Sequence, residues 1–141
     1  MDVHHIKPHF VSLQNLNEVI RQHKNLALSE EAVSVIEECR NYIDATMKTR
    51  KDPVYGINTG FGSLCDVKIN DSQLEQLQTN LVMSHACGTG DEAPTEIVKL
   101  MLLLKAKGLS YGKSGVQKIT VERLITFYNE RTGKPGKHHD E

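Results

Sequence analysis

The stretch Ile97–Leu104 constrains this chain more than any other part of it. Every position but Lys99 is apolar, and the run follows Pro94-Thr95, a reasonable helix start. Read as a helix, it is apolar nearly all round, and such a helix is expected to be buried on nearly all sides. A single domain of 141 residues could just manage that burial. A larger assembly would do so more comfortably.

Four more helical stretches surround it. Leu13, Leu16, Val19 and Ile20 recur at helical spacing after Ser12, which can cap the first turn. Ser29 followed by Glu30 and Glu31 opens a second helix with acids at the positive end of its dipole. Its apolar stripe is Ala32, Val35, Ile36, Cys39, Ile43 and Met47, and it should run out in the charged connector 48–52 before Pro53. A third starts at Asp71 and carries Leu74, Leu77 and Leu81 on one face, with His85 four residues beyond Leu81. The fifth is expected from Thr120, using Val121, Leu124, Ile125 and Tyr128, and ending before Gly133 and Pro135. Only Val54–Ile57 and Cys65–Ile69 read as strand. The chain is therefore expected to be mainly α, with at most short strands and a glycine-rich loop near its middle. The tail from Glu130 to Glu141 is polar and should be loose.

Composition excludes several classes. The formal net charge is -1, with acids and bases mixed along the whole length, so there is no electrostatic footprint for nucleic acid or a membrane surface. Cys39, Cys65 and Cys87 form no Cys-x-x-Cys pair. Residues 1–11 hold His4, His5, Lys7 and His9 without an apolar core, unlike a signal peptide. The apolar run at 97–104 is far too short to span a bilayer. The expectation is a cytoplasmic protein. Metal binding by His4, His5 and His9, or by His138 and His139, is disfavoured, because flexible terminal histidines are more often solvated.

The segment Val54-Tyr55-Gly56-Ile57-Asn58-Thr59-Gly60-Phe61-Gly62 stands apart. Three glycines within residues 56–62 cost folding entropy that a plain connector need not spend. They permit positive φ and close approach of backbone to a ligand, while Tyr55, Asn58 and Thr59 add polar groups. A lid over a substrate and a packed glycine turn both satisfy this pattern. A phosphate loop does not, since Gly60-Phe61-Gly62 lacks the remaining glycine and the lysine.

Residues 54–62 resemble the amino-terminal signature of the aromatic amino acid ammonia-lyases. Leu77-Gln78-Thr79-Asn80-Leu81-Val82-Met83-Ser84-His85-Ala86-Cys87-Gly88-Thr89-Gly90 is similar to that family's next block. Leu109-Ser110-Tyr111-Gly112-Lys113-Ser114-Gly115-Val116 resembles a third, in the same order. The likeness runs from about Val11 to Asn129, and Ser84-His85 before Ala86 looks more like the histidine enzymes than those acting on phenylalanine.

The resemblance implies an amino-terminal domain of an ammonia-lyase-like fold over residues 1–129, with 130–141 as a tail. It implies a small-molecule substrate, L-histidine, deaminated non-oxidatively to urocanate. It implies Tyr55 as the base taking the β-proton, His85 as a substrate contact or proton handler, and Gly62 against the substrate backbone. A free tyrosine titrates near ~10, so Tyr55 would need a strong local environment; no lysine or arginine lies between Val54 and Leu64. For His85, the residues alone also allow a partly buried ring hydrogen-bonded at a helix end.

The family's electrophilic prosthetic group, 4-methylideneimidazol-5-one, forms by cyclisation of an internal Ala-Ser-Gly. No Ala-Ser-Gly occurs here, and Ser114-Gly115 follows Lys113. The expectation is thus a piece of a histidine ammonia-lyase, without cofactor of its own and inactive alone, acting as a homo-oligomer or with the remainder of the enzyme. The alternative is a non-catalytic helical module that binds an intact lyase subunit or another partner. In either case the helix at 97–104 should leave the isolated chain self-associating or showing hydrophobic surface.

Overall fold

A computed structural model describes residues 2–49, 52, 54, 57, 59 and 71–130. The element order is β1 (Val3–Ile6), α1 (Leu13–Arg21), β2 (Asn25–Leu28), α2 (Glu30–Thr49), α3 (Asp71–His85), α4 (Thr95–Leu109) and α5 (Lys118–Glu130). The chain divides into two compact units, Met1–Lys48 with Ala93–Glu141, and Thr49–Glu92. The mainly helical class expected from the sequence is what the structure has.

In the first unit, β1 and β2 pair in parallel, with Val3 opposite Asn25 and Ile6 opposite Leu28. Parallel strands need a crossover, and α1 provides it. Ser12 caps α1 by accepting the Asn15 N–H at 3.2 Å, and Ser29 caps α2 by accepting the Ala32 N–H at 3.2 Å. The outer edge of β2 is closed from α5: the Asn129 amide accepts from the Leu26 N–H at 2.8 Å and donates to the Leu26 carbonyl at 3.0 Å. One side chain thereby substitutes for a third strand.

The core gathers Ile6, Leu16, Leu26, Ile36, Leu103 and Tyr128, with Val121 and Ile125 from α5. Every stripe position named for α2 is buried or half-buried. Gly112 and Gly115 hold the α4–α5 connection against α2 at φ +63° and +68°. A Cβ on Gly112 would lie 2.3 Å from the Val35 carbonyl oxygen, and one on Gly115 would lie 2.0 Å from Ile43 Cδ1. Only glycine fits both the dihedral and the space.

Four expectations are corrected. The strands fall at Val3–Ile6 and Asn25–Leu28, each only four residues long, too short for a periodic pattern to mark them. Neither Val54 nor Ile57 is in a strand, and the Ile57 N–H donates to the Val54 carbonyl at 3.1 Å; residues 55 and 56 lie outside the described residues. Helix α5 begins at Lys118, two residues before Thr120, so it starts without the hydroxyl cap that Thr120 suggested. Finally, α4 is not buried on nearly all sides. One face, with Lys99, Leu103, Ala106 and Lys107, is buried, while Ile97, Met101 and Leu104 are exposed. The stretch 65–69 and the tail beyond Glu130 lie outside the described residues.

Candidate functional site

His85 ends α3, in the last turn of the second unit. Leu77 and Leu81 on the same stripe are half-buried, but the His85 ring is exposed. Its Nδ1 lies 2.9 Å from the Leu81 carbonyl oxygen. A carbonyl only accepts, so a neutral ring here carries its proton on Nδ1. Ser84 Oγ donates to that same carbonyl at 2.9 Å and sits 3.0 Å from Nδ1, where its lone pair accepts a share of the same proton. Both contacts hold the ring from one side and fix the tautomer. Nε2 then presents a lone pair, and no described residue occupies it. The helix stops immediately after, with the Cys87 N–H on the His85 carbonyl at 2.9 Å and Gly90 at φ +86°.

Of the three residues singled out from the sequence, only His85 lies among those described; Tyr55 and Gly62 lie outside them. Within the glycine loop, Thr59 is buried and Val54 and Ile57 are half-buried, so the packed character weighed for this segment holds at those positions. The helix-end hydrogen bond anticipated for His85 is present, whereas its partial burial is not.

The block at 109–116 makes contacts that hold the fold. Tyr111 donates its hydroxyl to the His9 carbonyl at 3.1 Å, and Arg40 Nη1 donates to the Gly115 carbonyl at 3.2 Å. Arg40 is itself steadied by Asp44, through Nε to Oδ2 at 3.0 Å and a second bond from Nη2 to Oδ1. These bonds hold the α4–α5 connection onto α2 and the amino-terminal arm. Ser114-Gly115 cannot serve as precursor of 4-methylideneimidazol-5-one: alanine is absent before it, and Gly115 is packed on Ile43 with its carbonyl engaged. The residues present do not fit that group.

A polar feature that sequence reasoning missed is Lys107, buried on α4 despite its charge. It sits just past the apolar run, where a lysine reads as a solvated end.

Comparisons with known proteins match this geometry to a family. Residues 11–132 match the family model described as aromatic amino acid lyase. The chain is 42% identical over 119 residues to a histidine ammonia-lyase of Deinococcus radiodurans, covering 84% of this chain and 22% of that protein. It is 38% identical over 121 residues to one from Geobacillus thermodenitrificans, covering 86% and 24%. Among solved structures it is similar to the histidine ammonia-lyase of Trypanosoma cruzi, with a TM-score of 0.75 and 32% identity over 92% of this chain and 24% of that one. An ergothionase from Treponema denticola shares the fold at a TM-score of 0.82 and 24% identity, over 91% of this chain and 26% of that one. The chain spans about a quarter of the length of the curated relatives it matches. With the match to the family model extending over most of its length, the chain belongs to the aromatic amino acid lyases.

Proposed function

We propose that this chain is the amino-terminal portion of a histidine ammonia-lyase, contributing proton-handling groups to the deamination of L-histidine to urocanate. The observation that carries this reading is the state of His85. Its ring is exposed at a helix end, its tautomer is fixed by Leu81 and Ser84, and its Nε2 lone pair is unopposed among the described residues. A histidine held this way can accept a hydrogen bond from a substrate amine or serve as a proton acceptor through Nε2. The identity to proteins named histidine ammonia-lyase supports the choice of substrate.

In this reading Tyr55 takes the β-proton, His85 contacts the substrate or relays protons, and Gly62 lies against the substrate backbone. None of these groups improves the α-amine as a leaving group. The chain alone therefore handles one half of a two-part difficulty and leaves the other as it is in water. In this reading turnover requires these residues together with the remainder of the lyase fold.

The test is urocanate formation from L-histidine. The purified chain should give none. Mixed with a polypeptide spanning the remaining three-quarters of a homologous histidine ammonia-lyase, it should restore turnover, and His85→Ala should then lower kcat/KM by about 100-fold, the scale of a lost proton-transfer group. Turnover by the chain alone would overturn the proposal. A stable complex without turnover would favour the non-catalytic binding module instead.

A further inference from the structure

Buried charges in proteins are normally paired with opposite charge. Lys107 is not. Its side chain is buried at 8% exposure, and its ammonium donates to the main-chain carbonyls of Lys7 and His9 and lies 4.2 Å from the centroid of the Tyr111 ring. Every one of these partners is neutral, and among the described residues no carboxylate pairs with it. An ammonium has three N–H donors, and the two carbonyls use two of them.

Lys107 also forms part of the wall of a cavity of about 200 Å³ between the amino-terminal arm, α1 and α4. The polar side of that cavity carries Lys107, Lys7, His4, His5 and His9, and no aspartate or glutamate lines it. Two acids lie beside this group, each in an ion pair that leaves Lys107 unmatched: Glu31 with His9 at 3.0 Å, and Glu18 with Lys24 at 2.8 Å. The opposite side is apolar, with Val11, Leu16 and Leu103, and Asn15 of α1 adds an amide at the rim. Such a cavity offers positive charge at one end and hydrocarbon at the other.

We infer that this cavity binds a small organic monoanion, a carboxylate on a short apolar or aromatic body, whose head group is the counter-ion of Lys107. The described lining lies in the first unit, and the inference does not rest on the lyase reading. The surroundings of His4 agree with it. Burial holds the His4 imidazole below its ordinary value, and the charges of Lys24, His5 and Lys107 add to that effect, with only Glu18 acting the other way. An anion beside Lys107 would offset that positive field.

His4 therefore provides a readout independent of any activity. Its ring titration in the full chain can be followed by NMR with sodium benzoate, with benzyl alcohol as the neutral analogue, and with inorganic phosphate, all at one ionic strength. Benzoate should saturate, shift the Leu16 and Leu103 methyl resonances, and raise the His4 midpoint by about half a pH unit. Benzyl alcohol should do neither. Because Lys107 also anchors the arm, the variant that carries the test is Asn15→Asp, which places a carboxylate at the cavity rim from an exposed first-turn position. It should raise the His4 midpoint without ligand and weaken benzoate about tenfold. Benzoate that fails to saturate, or an affinity unchanged in Asn15→Asp, would overturn the inference. Phosphate binding as tightly as benzoate would overturn the assignment of ligand class.

Discussion

Lys99 is the one charged residue inside the apolar run, and it is buried at 5% exposure against the ring of Tyr128, 5.6 Å from its centroid. Desolvation lowers its pKa from 10.5, and desolvation raises that of Tyr128 from 10.0. The Tyr128 hydroxyl is buried and finds no hydrogen-bond partner among the described residues. The Lys99 ammonium thus sits over the face of the Tyr128 ring, with no carboxylate beside it among the ion pairs of the described residues. Between the lowered value and 10.5 the unfolded chain binds a proton that the folded chain does not, so Lys99 makes stability rise with pH in that window. Tyr128 acts oppositely and only above 10.0, where the unfolded chain loses a proton the folded one keeps. Replacing Lys99 with methionine keeps the bulk and removes the charge. Lys99→Met should stabilise the chain by about 1 kcal/mol near neutral pH and flatten the rise of stability on the alkaline side below 10.0. Urea unfolding at several pH values measures both, and an unchanged pH slope would show that Lys99 is not the group responsible. At this scale the sequence was only partly legible. His85 could be picked out because it sits in a block of familiar residues, whereas Lys99 and Lys107 are charged residues whose burial depends on what α5 and the arm bring against them.

Elements were more legible than residues, for a reason visible in particular cases. Helices α1 and α2 carry apolar residues at a period that survives in one dimension, and their caps at Ser12 and Ser29 are local. Strands β1 and β2 have four residues each and depend on partners far along the chain. Asn129, more than a hundred residues away, completes β2 by satisfying both the N–H and the carbonyl of Leu26. Asn129→Ala should therefore cost about 2 kcal/mol, the range for orphaned partly buried backbone groups, and should deprotect the Leu26 amide in hydrogen exchange. The connection between α4 and α5 yields a second, ordered prediction. At Gly112 an added Cβ meets backbone, the Val35 carbonyl, whereas at Gly115 it meets the movable end of Ile43. Both positions also impose left-handed backbone strain of roughly 1 kcal/mol or more on alanine. Gly112→Ala should accordingly destabilise more than Gly115→Ala, by about 1 kcal/mol or more in urea unfolding. The reverse order would mean that Val35 and its helix shift more easily than the Ile43 side chain.

For the whole molecule, the apolar run at 97–104 raises a question that its own fold does not answer. Burying Leu103 and Ala106 uses one face of α4, while Ile97, Met101 and Leu104 are 49%, 64% and 46% exposed. Leu13 on α1, at 84% exposure, borders the same surface, and a groove lined by Leu13, Ile20, Ile97, Leu100 and Leu104 runs between the two helices. Hydrocarbon facing water at this density is unfavourable by about 25 cal/mol for each Å². The solved relatives that share the fold devote only about a quarter of their length to it, so polypeptide is available in them to cover such a surface. These 141 residues taken by themselves have two ways to lower their free energy: to pair their apolar faces with other copies, or to bind whatever apolar ligand is present. The purified chain should therefore increase in mass with concentration in light scattering and enhance the fluorescence of a hydrophobic dye. The double substitution of Met101 and Leu104 by lysine should reduce both effects while leaving the unfolding midpoint nearly unchanged, because neither side chain belongs to the buried core. A monomer at all concentrations that binds no dye would mean that this face is comfortable in water, and the reading of the chain as part of a larger body would lose its strongest physical support.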